Sequence, residues 1–159
     1  MSENHVTGKV IIVTGAAGGF GRLVCQKTAS LGAQVVACDV NEAELNQTIH
    51  HITADGGEAV AVVADVTSRA DMFEVVDHAI DRYSKIDVIV NNAGTMPLAF
   101  YENHSEAADA WDRCIDINIK GVLNGITAVH DHMLKQGRGH VVNISSIYGN
   151  YPTAGAAVY

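Results

Sequence analysis

The chain has 159 residues, of which 48% are hydrophobic and 18% are charged, a balance typical of globular proteins and not of disordered ones. Its net charge is −8, and no basic cluster indicates a nucleic-acid partner. The apolar runs are too short to cross a bilayer, and the N-terminus has no secretory signal pattern. We therefore expect a cytoplasmic protein without nucleic-acid or membrane partners.

Cysteines and histidines show no pattern of a disulfide framework or a metal site. The three cysteines are widely separated and include no C-x-x-C pair, so we expect reduced thiols. Neither of the close histidine pairs, His50-His51 and His130-x-His132, has the i,i+4 spacing of a helical zinc site. No metal is predicted.

Short β-branched runs alternate with longer amphipathic stretches along the chain. The runs predict five strands, over residues 10–13, 34–38, 59–64, 86–90 and 140–144. Helices are predicted between them, and the longest, over residues 107–135, ends before Gly137 and Gly139. Strands that alternate with helices in this way indicate a parallel sheet covered by helices on both faces.

Apolar residues at helical spacing predict the buried faces of two helices. The face of the first helix is Phe20, Leu23, Val24 and Leu31, and that of the third is Phe73, Val76, Ile80 and Tyr83. Asn41 predicts the start of the second helix, and Thr67 or Ser68 that of the third.

The order of elements predicts the α/β class, as a doubly wound parallel sheet of the Rossmann type, with residues 1–159 forming one domain. Right-handed crossovers and a glycine-rich first turn favour the strand order 3-2-1-4-5. The strand pattern alone leaves a flavodoxin-like order open. The motifs described next argue against that order.

A glycine-rich turn joins the first predicted strand to the first helix. It reads Thr14-Gly15-Ala16-Ala17-Gly18-Gly19-Phe20-Gly21. Glycines let a pyrophosphate approach the backbone, and the N–H groups at a helix N-terminus favour its negative charge. Glycine also makes ordinary strand-to-helix connections. The position of this turn, between a buried strand and an amphipathic helix, favours a dinucleotide site.

Asp39 directly follows the second predicted strand. A carboxylate there can accept hydrogen bonds from the adenosine ribose hydroxyls and repels a 2′-phosphate. The other interpretation is an aspartate that only forms the turn before Asn41. Because no Lys or Arg lies in the glycine turn or between residues 33 and 48, NAD is favoured over NADP.

The glycine spacing differs from G-x-G-x-x-G and begins a family resemblance. Gly15, Gly19 and Gly21, with Phe20 between the last two, match T-G-x-x-x-G-x-G, the signature of the classical short-chain dehydrogenase/reductase family. Asn91-Asn92-Ala93-Gly94, after the fourth strand, resembles the family's N-N-A-G motif, which supports the central sheet and lines the cofactor site. The resemblance spans essentially the whole chain and implies that Asn92, Ala93 and Gly94 contact the cofactor.

Two further positions match the family. Asp65-Val66, after the third strand, resembles the contact with the adenine ring, and the alternative is a simple cap of the strand end. Asn118 matches the active-site asparagine. Because asparagine is disfavoured in mid-helix, Asn118 also indicates a polar contact or a local bend. An ordinary exposed asparagine is the alternative.

The family separates its catalytic serine and tyrosine by thirteen positions. This spacing pairs Tyr159 with Ser146 and leaves Ser145 as structural, unless the assignment shifts by one residue. The resemblance implies hydride transfer between NAD and a secondary alcohol or ketone. Ser146 would hold the substrate oxygen, and Tyr159 would exchange a proton with it and contact the cofactor.

The family also has a lysine four residues after the tyrosine, whose charge favours the phenolate. That position lies beyond Tyr159, so we expect the sequence to be the N-terminal portion of a longer enzyme, truncated at its C-terminal side and active as a homodimer or homotetramer. The alternative is a non-catalytic nucleotide-binding or sensing module. Such a module would have no need of Asn118 or Ser146.

Overall fold

The computed structural model describes residues 4–151 and 153–159; residues 1–3 and 152, which the predicted domain includes, lie outside this part. The strands are β1 (Val10–Thr14), β2 (Gln34–Asp39), β3 (Glu58–Val63), β4 (Val88–Asn91) and β5 (His140–Asn143). The α-helices are α1 (Gly19–Ser30), α2 (Glu42–Ala54), α3 (Arg69–Tyr83), α4 (His104–Ile115) and α5 (Val122–Gln136). A π-helical segment, Asp116–Gly121, joins α4 to α5.

The five strands form one parallel sheet in the order β3-β2-β1-β4-β5. This confirms the predicted doubly wound fold and its strand order, and it excludes the flavodoxin-like order. The chain moves outwards from β1 in one direction through β2 and β3, and in the other through β4 and β5. A crevice therefore opens at the carboxyl ends of β1 and β4, where such sheets bind ligands.

Helices cover the sheet on both faces, and alternate residues of β1 point to opposite sides. Ile12 packs in a cluster with Met72 of α3 and Val129 of α5. Ile11 packs on the other face, in a cluster with Cys25 of α1 and Leu45 of α2. Every residue of β1 is buried, as expected for a central parallel strand.

The apolar face predicted for α1 packs against the core at Val24 but is exposed at its other residues. Phe20 and Leu23 are 77% and 59% exposed, whereas the buried residues of α1 are Gly21, Cys25 and Ala29. These small residues recur every four positions, so they share one face of the helix. They let α1 lie close to the sheet, which turns the larger apolar side chains outwards.

The prediction for α3 is correct only in part. Val76 is buried, and Ile80 and Tyr83 pack at the edge of the core, but Phe73 is 42% exposed. The other buried residues of α3 are Met72, Val75 and Ala79. The buried face of α3 is therefore rotated about the helix axis relative to the predicted face, towards Met72, Val75 and Ala79.

Capping side chains mark the helix starts that the sequence indicates. The Asn41 side chain accepts a hydrogen bond from the Glu44 N–H, and Ser68, not Thr67, does the same for Asp71. The long helical segment predicted over roughly residues 107–135 runs without a break from His104 to Gln136, and the π-helical segment around Asn118 interrupts its α-helical pattern.

Candidate cofactor and active site

The turn between β1 and α1 requires glycine where the backbone is crowded. Gly15 has φ +67°, and a Cβ on it would lie 2.8 Å from the Cα of Ala93. A Cβ on Gly21 would collide with the carbonyl oxygen of Gly15. Gly19, at φ +50°, has no atom within 4 Å of its Cβ position. The turn is therefore packed closely at Gly15 and Gly21 and has free space at Gly19.

The open side of this turn is the N-terminus of α1. Its N-cap is Gly18, and no side chain caps it. The first N–H groups of a helix have no partner within the helix, and they favour an anion such as a pyrophosphate. The side chain of Phe20, which lies beside these N–H groups, is exposed. The turn therefore fits the phosphates of a dinucleotide.

Asp39 lies beside the same turn, at the end of β2. Its Oδ2 accepts a hydrogen bond from the Ala17 N–H at 3.0 Å, and its Oδ1 accepts one from the Asn41 N–H at 3.0 Å. The carboxylate therefore forms the local turn and also lines a cavity of about 170 Å³. The predicted cofactor residues in that cavity are Gly15, Asp39, Asp65, Val66, Ala93 and Gly94.

Asp65 both caps a turn and lines this cavity. Its Oδ1 accepts hydrogen bonds from the N–H and the hydroxyl of Thr67, at 2.9 and 2.8 Å. The buried Asn124 of α5 donates to the carbonyl of Val66 at 2.9 Å. The loop that follows β3 is thereby held against α5, with Val66 in the cavity wall.

The Asn91-Asn92-Ala93-Gly94 segment ties the sheet to the glycine turn. Asn91 donates to the Asn143 side chain on β5 at 2.8 Å. The Asn92 side chain donates to the carbonyl of Thr14 at 2.9 Å. The Thr14 hydroxyl accepts the N–H groups of Asn92 and Ala93, both at 3.0 Å. Thr14 is a supporting residue that sequence reasoning missed, although it belongs to the glycine motif.

Asn118 makes the polar contact that its mid-helix position indicates. Its Oδ1 accepts the Thr95 N–H at 2.9 Å, and its Nδ2 donates to the Thr95 carbonyl at 2.8 Å and to the Cys114 sulfur at 3.3 Å. Burial raises the pKa of the Cys114 thiol, which keeps it protonated near neutral pH. The π-helical segment thus fixes the backbone that follows Gly94.

A larger cavity, of about 540 Å³, lies at the carboxyl ends of β4 and β5. It brings together the predicted catalytic residues and several predicted cofactor residues: Asn118, Ser146, Tyr159, Phe20, Asn92, Ala93 and Gly94. Ser145 lines the same cavity. The Ser146 hydroxyl accepts the Tyr148 N–H at 3.2 Å, and Tyr159 is 39% exposed.

The two cavities adjoin, because Ala93 and Gly94 line both. One therefore lies on the β2 and β3 side of the crevice and the other on the β4 and β5 side. Gly19 and Gly21 line neither cavity. They instead shape the turn that joins β1 to α1. The rest of the larger cavity is mainly apolar, with Met96, Ile115, Ile119, Val122, Ile144 and Val158 in its walls.

Within residues 4–151 and 153–159, no helix has the length and apolar character needed to cross a membrane. In the same part of the chain, no group of three His, Cys, Asp or Glu side chains is placed to hold a metal ion, and all three cysteines are free thiols.

Comparison with known proteins identifies the family. The short chain dehydrogenase family profile matches residues 9–159, so the chain belongs to the short-chain dehydrogenase/reductase family. An uncharacterized oxidoreductase of Listeria monocytogenes is 42% identical over 97% of this chain and 61% of its own length. The 3-oxoacyl-(acyl-carrier-protein) reductase of Thermotoga maritima is 37% identical over 98% of this chain and 62% of its own length. The chain thus spans about three fifths of these relatives.

Solved structures of the family superpose closely on this fold. A short-chain dehydrogenase/reductase from Burkholderia phymatum in complex with NAD has a TM-score of 0.91 and 33% identity, covering 97% of this chain and 54% of that one. A metagenomic short-chain oxidoreductase in complex with NADP has a TM-score of 0.88 and 32% identity, covering 97% of this chain and 69% of that one. Both dinucleotides therefore occur among its structural neighbours.

Proposed function

We propose that the natural protein is an NAD-dependent oxidoreductase that interconverts a secondary alcohol and a ketone. The observation that carries this proposal is the placement of Asn118, Ser146 and Tyr159 around one cavity. That cavity adjoins the one lined by Asp39, so a cofactor held along the crevice would have its reactive end beside these three residues.

The residues have distinct roles in this proposal. NAD, when bound, supplies the nicotinamide carbon that exchanges hydride with the substrate. The Ser146 hydroxyl already accepts the Tyr148 N–H, so its own proton is free to be donated to the substrate oxygen. Tyr159 exchanges a proton with that oxygen as general acid or base. Asn118 acts indirectly, by holding the Thr95 backbone in the cavity wall.

The cofactor preference follows from Asp39. Its carboxylate is anchored by two backbone N–H groups, and each oxygen keeps lone pairs that can accept from ribose hydroxyls. A 2′-phosphate at that place would meet a negative charge. This favours NAD, which the Burkholderia phymatum protein and an NAD⁺-bound xylitol dehydrogenase also bind.

We also propose that residues 1–159 form one domain and that the natural protein is a homodimer or homotetramer.

The proposal is tested by replacing Tyr159 with Phe in the full-length natural protein. Turnover of a panel of secondary alcohols should fall by about two to four orders of magnitude, because general acid–base catalysis is lost. The Kd for NAD should rise by no more than about tenfold, because at most one hydrogen bond to the cofactor is lost. Tyr148→Phe is the matched control, since Tyr148 does not line the cavity.

Two results would contradict the enzyme proposal. Wild-type protein that binds NAD but oxidises no alcohol and reduces no ketone would leave the nucleotide-binding module as the function. Equal turnover of wild type and Tyr159→Phe would remove Tyr159 from the chemistry. A parallel pair, Ser146→Ala and Ser145→Ala, decides which serine acts, and we expect only the first to lose turnover.

A further inference from the structure

A group of polar side chains from α1 and α2 contacts the backbone of the glycine turn. Arg22, in the first turn of α1, donates from Nη2 to the Glu44 carboxylate at 2.8 Å and to the Glu44 carbonyl at 3.1 Å. Its Nε donates to the Thr48 hydroxyl at 2.9 Å, and Nη2 also donates to the carbonyl of Ala17. Thr48, fully buried, donates to the carbonyl of Ala16 at 2.9 Å.

These bonds satisfy the backbone N–H and the carbonyl of both Ala16 and Ala17, and they hold the peptide group between the two residues at both ends. The Ala16 N–H donates to the Cys38 carbonyl at 3.1 Å, while its carbonyl accepts from Thr48. The Ala17 N–H donates to the Asp39 carboxylate at 3.0 Å, while its carbonyl accepts from Arg22. The N–H that donates to Asp39 belongs to the peptide group whose carbonyl accepts from Thr48 of α2, and Arg22 holds the carbonyl of the next peptide group. The orientation of the Asp39 carboxylate therefore depends on a peptide group that α2 holds through Thr48.

The same group pairs the charge of Arg22, which directly follows the glycine turn. Arg22 is the only Lys or Arg between residues 10 and 26, and there is none between residues 28 and 68. Its charge is paired with Glu44 in a salt bridge of 2.8 Å. Because this cation is paired, these two segments place no free positive charge beside Asp39. The cation that lines the same cavity is Arg113 of α4, which is exposed.

We propose that Arg22, Glu44 and Thr48 form a brace that positions Asp39 and sets the preference for NAD over NADP. This inference rests on the proposed function and deepens it. Arg22 and Thr48 are positioning residues, since they act through the Ala16 and Ala17 peptides and not by touching the cofactor. Glu44 is a specificity residue, since it confines the charge of Arg22.

Glu44→Gln tests the charge in the full-length natural protein. Glutamine can still accept from Arg22, and Glu44 lies at the surface, so the fold is retained. Titration calorimetry with each dinucleotide should show the ratio of the NADP and NAD dissociation constants moving about fivefold towards NADP, because an unpaired cation then lies near Asp39. Glu58→Gln, which breaks an exposed pair with Arg82 far from the turn, should leave the ratio unchanged. An unchanged ratio in Glu44→Gln overturns the role of this charge.

Thr48→Val tests the positioning role with a side chain of the same shape. We expect the Kd and the KM for NAD to rise about fivefold, because two hydrogen bonds are lost, while the KM for the alcohol is unchanged. Thr48→Ser, which keeps the hydroxyl, should restore the wild-type values and controls for altered packing. An unchanged Kd in Thr48→Val overturns the positioning role. Failure of the wild type to bind either dinucleotide would instead overturn the proposed function.

Discussion

Asp87 is a carboxylate buried at the amino end of the sheet, away from the proposed active site. Its Oδ2 accepts the Val10 N–H at 3.0 Å and pairs with Lys85 at 2.9 Å, and its Oδ1 lies 3.6 Å from both Lys9 and Arg138. Burial alone would raise the pKa of Asp87, but the N–H of Val10 and the nearby lysines outweigh it and hold the pKa below its usual range. One side chain thus links β1 to the segments that flank β4 and β5.

Replacing Asp87 with Asn should lower the free energy of unfolding at pH 7 by roughly 1 to 3 kcal/mol, the value of a buried hydrogen bond to a charged group. A carboxyl whose pKa is lowered on folding stabilises the protein above its ordinary pKa, of about 4. That contribution is lost as the pH falls through the lowered pKa. Urea unfolding between neutral and acidic pH should therefore show a weaker acid dependence for Asp87→Asn than for wild type. Equal acid dependence of the two proteins would contradict this assignment.

Single residues also show what the sequence could predict. Positions such as Gly15, Asp39 and Ser146 lie along one crevice because each is at or just beyond the carboxyl end of a strand of the parallel sheet, and strand ends are readable from the sequence. Arg22 and Thr48 were not predicted as part of this site. Their contacts join α1 to α2 behind the turn, and such helix-to-helix contacts leave no periodic signal.

At the scale of elements, the helix faces were the least predictable feature. The buried face of α1 consists of Gly21, Cys25 and Ala29, and size alone draws attention to Phe20 and Leu23 instead. A helix that lies close to a sheet needs small residues at the contact, so apolar volume is a poor guide to burial there. Asn118, in contrast, did indicate the interruption of its helix, because its amide bonds to the Thr95 backbone from within the π-helical segment.

A close contact of α5 with the sheet yields a further prediction. A Cβ on Gly125 would collide with the Asn91 side-chain oxygen and lie 3.3 Å from Ile89. In Gly125→Ala, overpacking should cost roughly 1 to 3 kcal/mol, and a helix-propensity gain of about 1 kcal/mol offsets part of that cost. The free energy of unfolding should therefore fall by up to about 2 kcal/mol. Thr127→Ala, at an exposed position on the same helix, should change it by less than about 0.5 kcal/mol. Thermal or urea unfolding measures both, and a more stable Gly125→Ala would show that this contact relaxes freely.

At the scale of the whole molecule, the strand order places residues distant in sequence along one cleft. β1 lies at the centre and separates the β2 and β3 side, with Asp39 and Asp65, from the β4 and β5 side, with Ser146. The order was predictable because the glycine turn must follow the central strand of a doubly wound sheet. The size and apolar character of the larger cavity were not, since they depend on how α4, α5 and the loops pack.

This arrangement predicts that a dinucleotide stabilises the native state as a whole. The proposed site is assembled from residues between Gly15 and Tyr159, so the unfolded chain should not bind the ligand. NAD at a hundred times its Kd should then add about 2.7 kcal/mol to the free energy of unfolding, which raises the Tm by several degrees, at about 2 to 4 °C per kcal/mol. NADP at the same concentration should raise the Tm less, because of Asp39, and Ser146→Ala should keep the full shift with NAD. A Tm that neither dinucleotide changes would show that this crevice is not a nucleotide site.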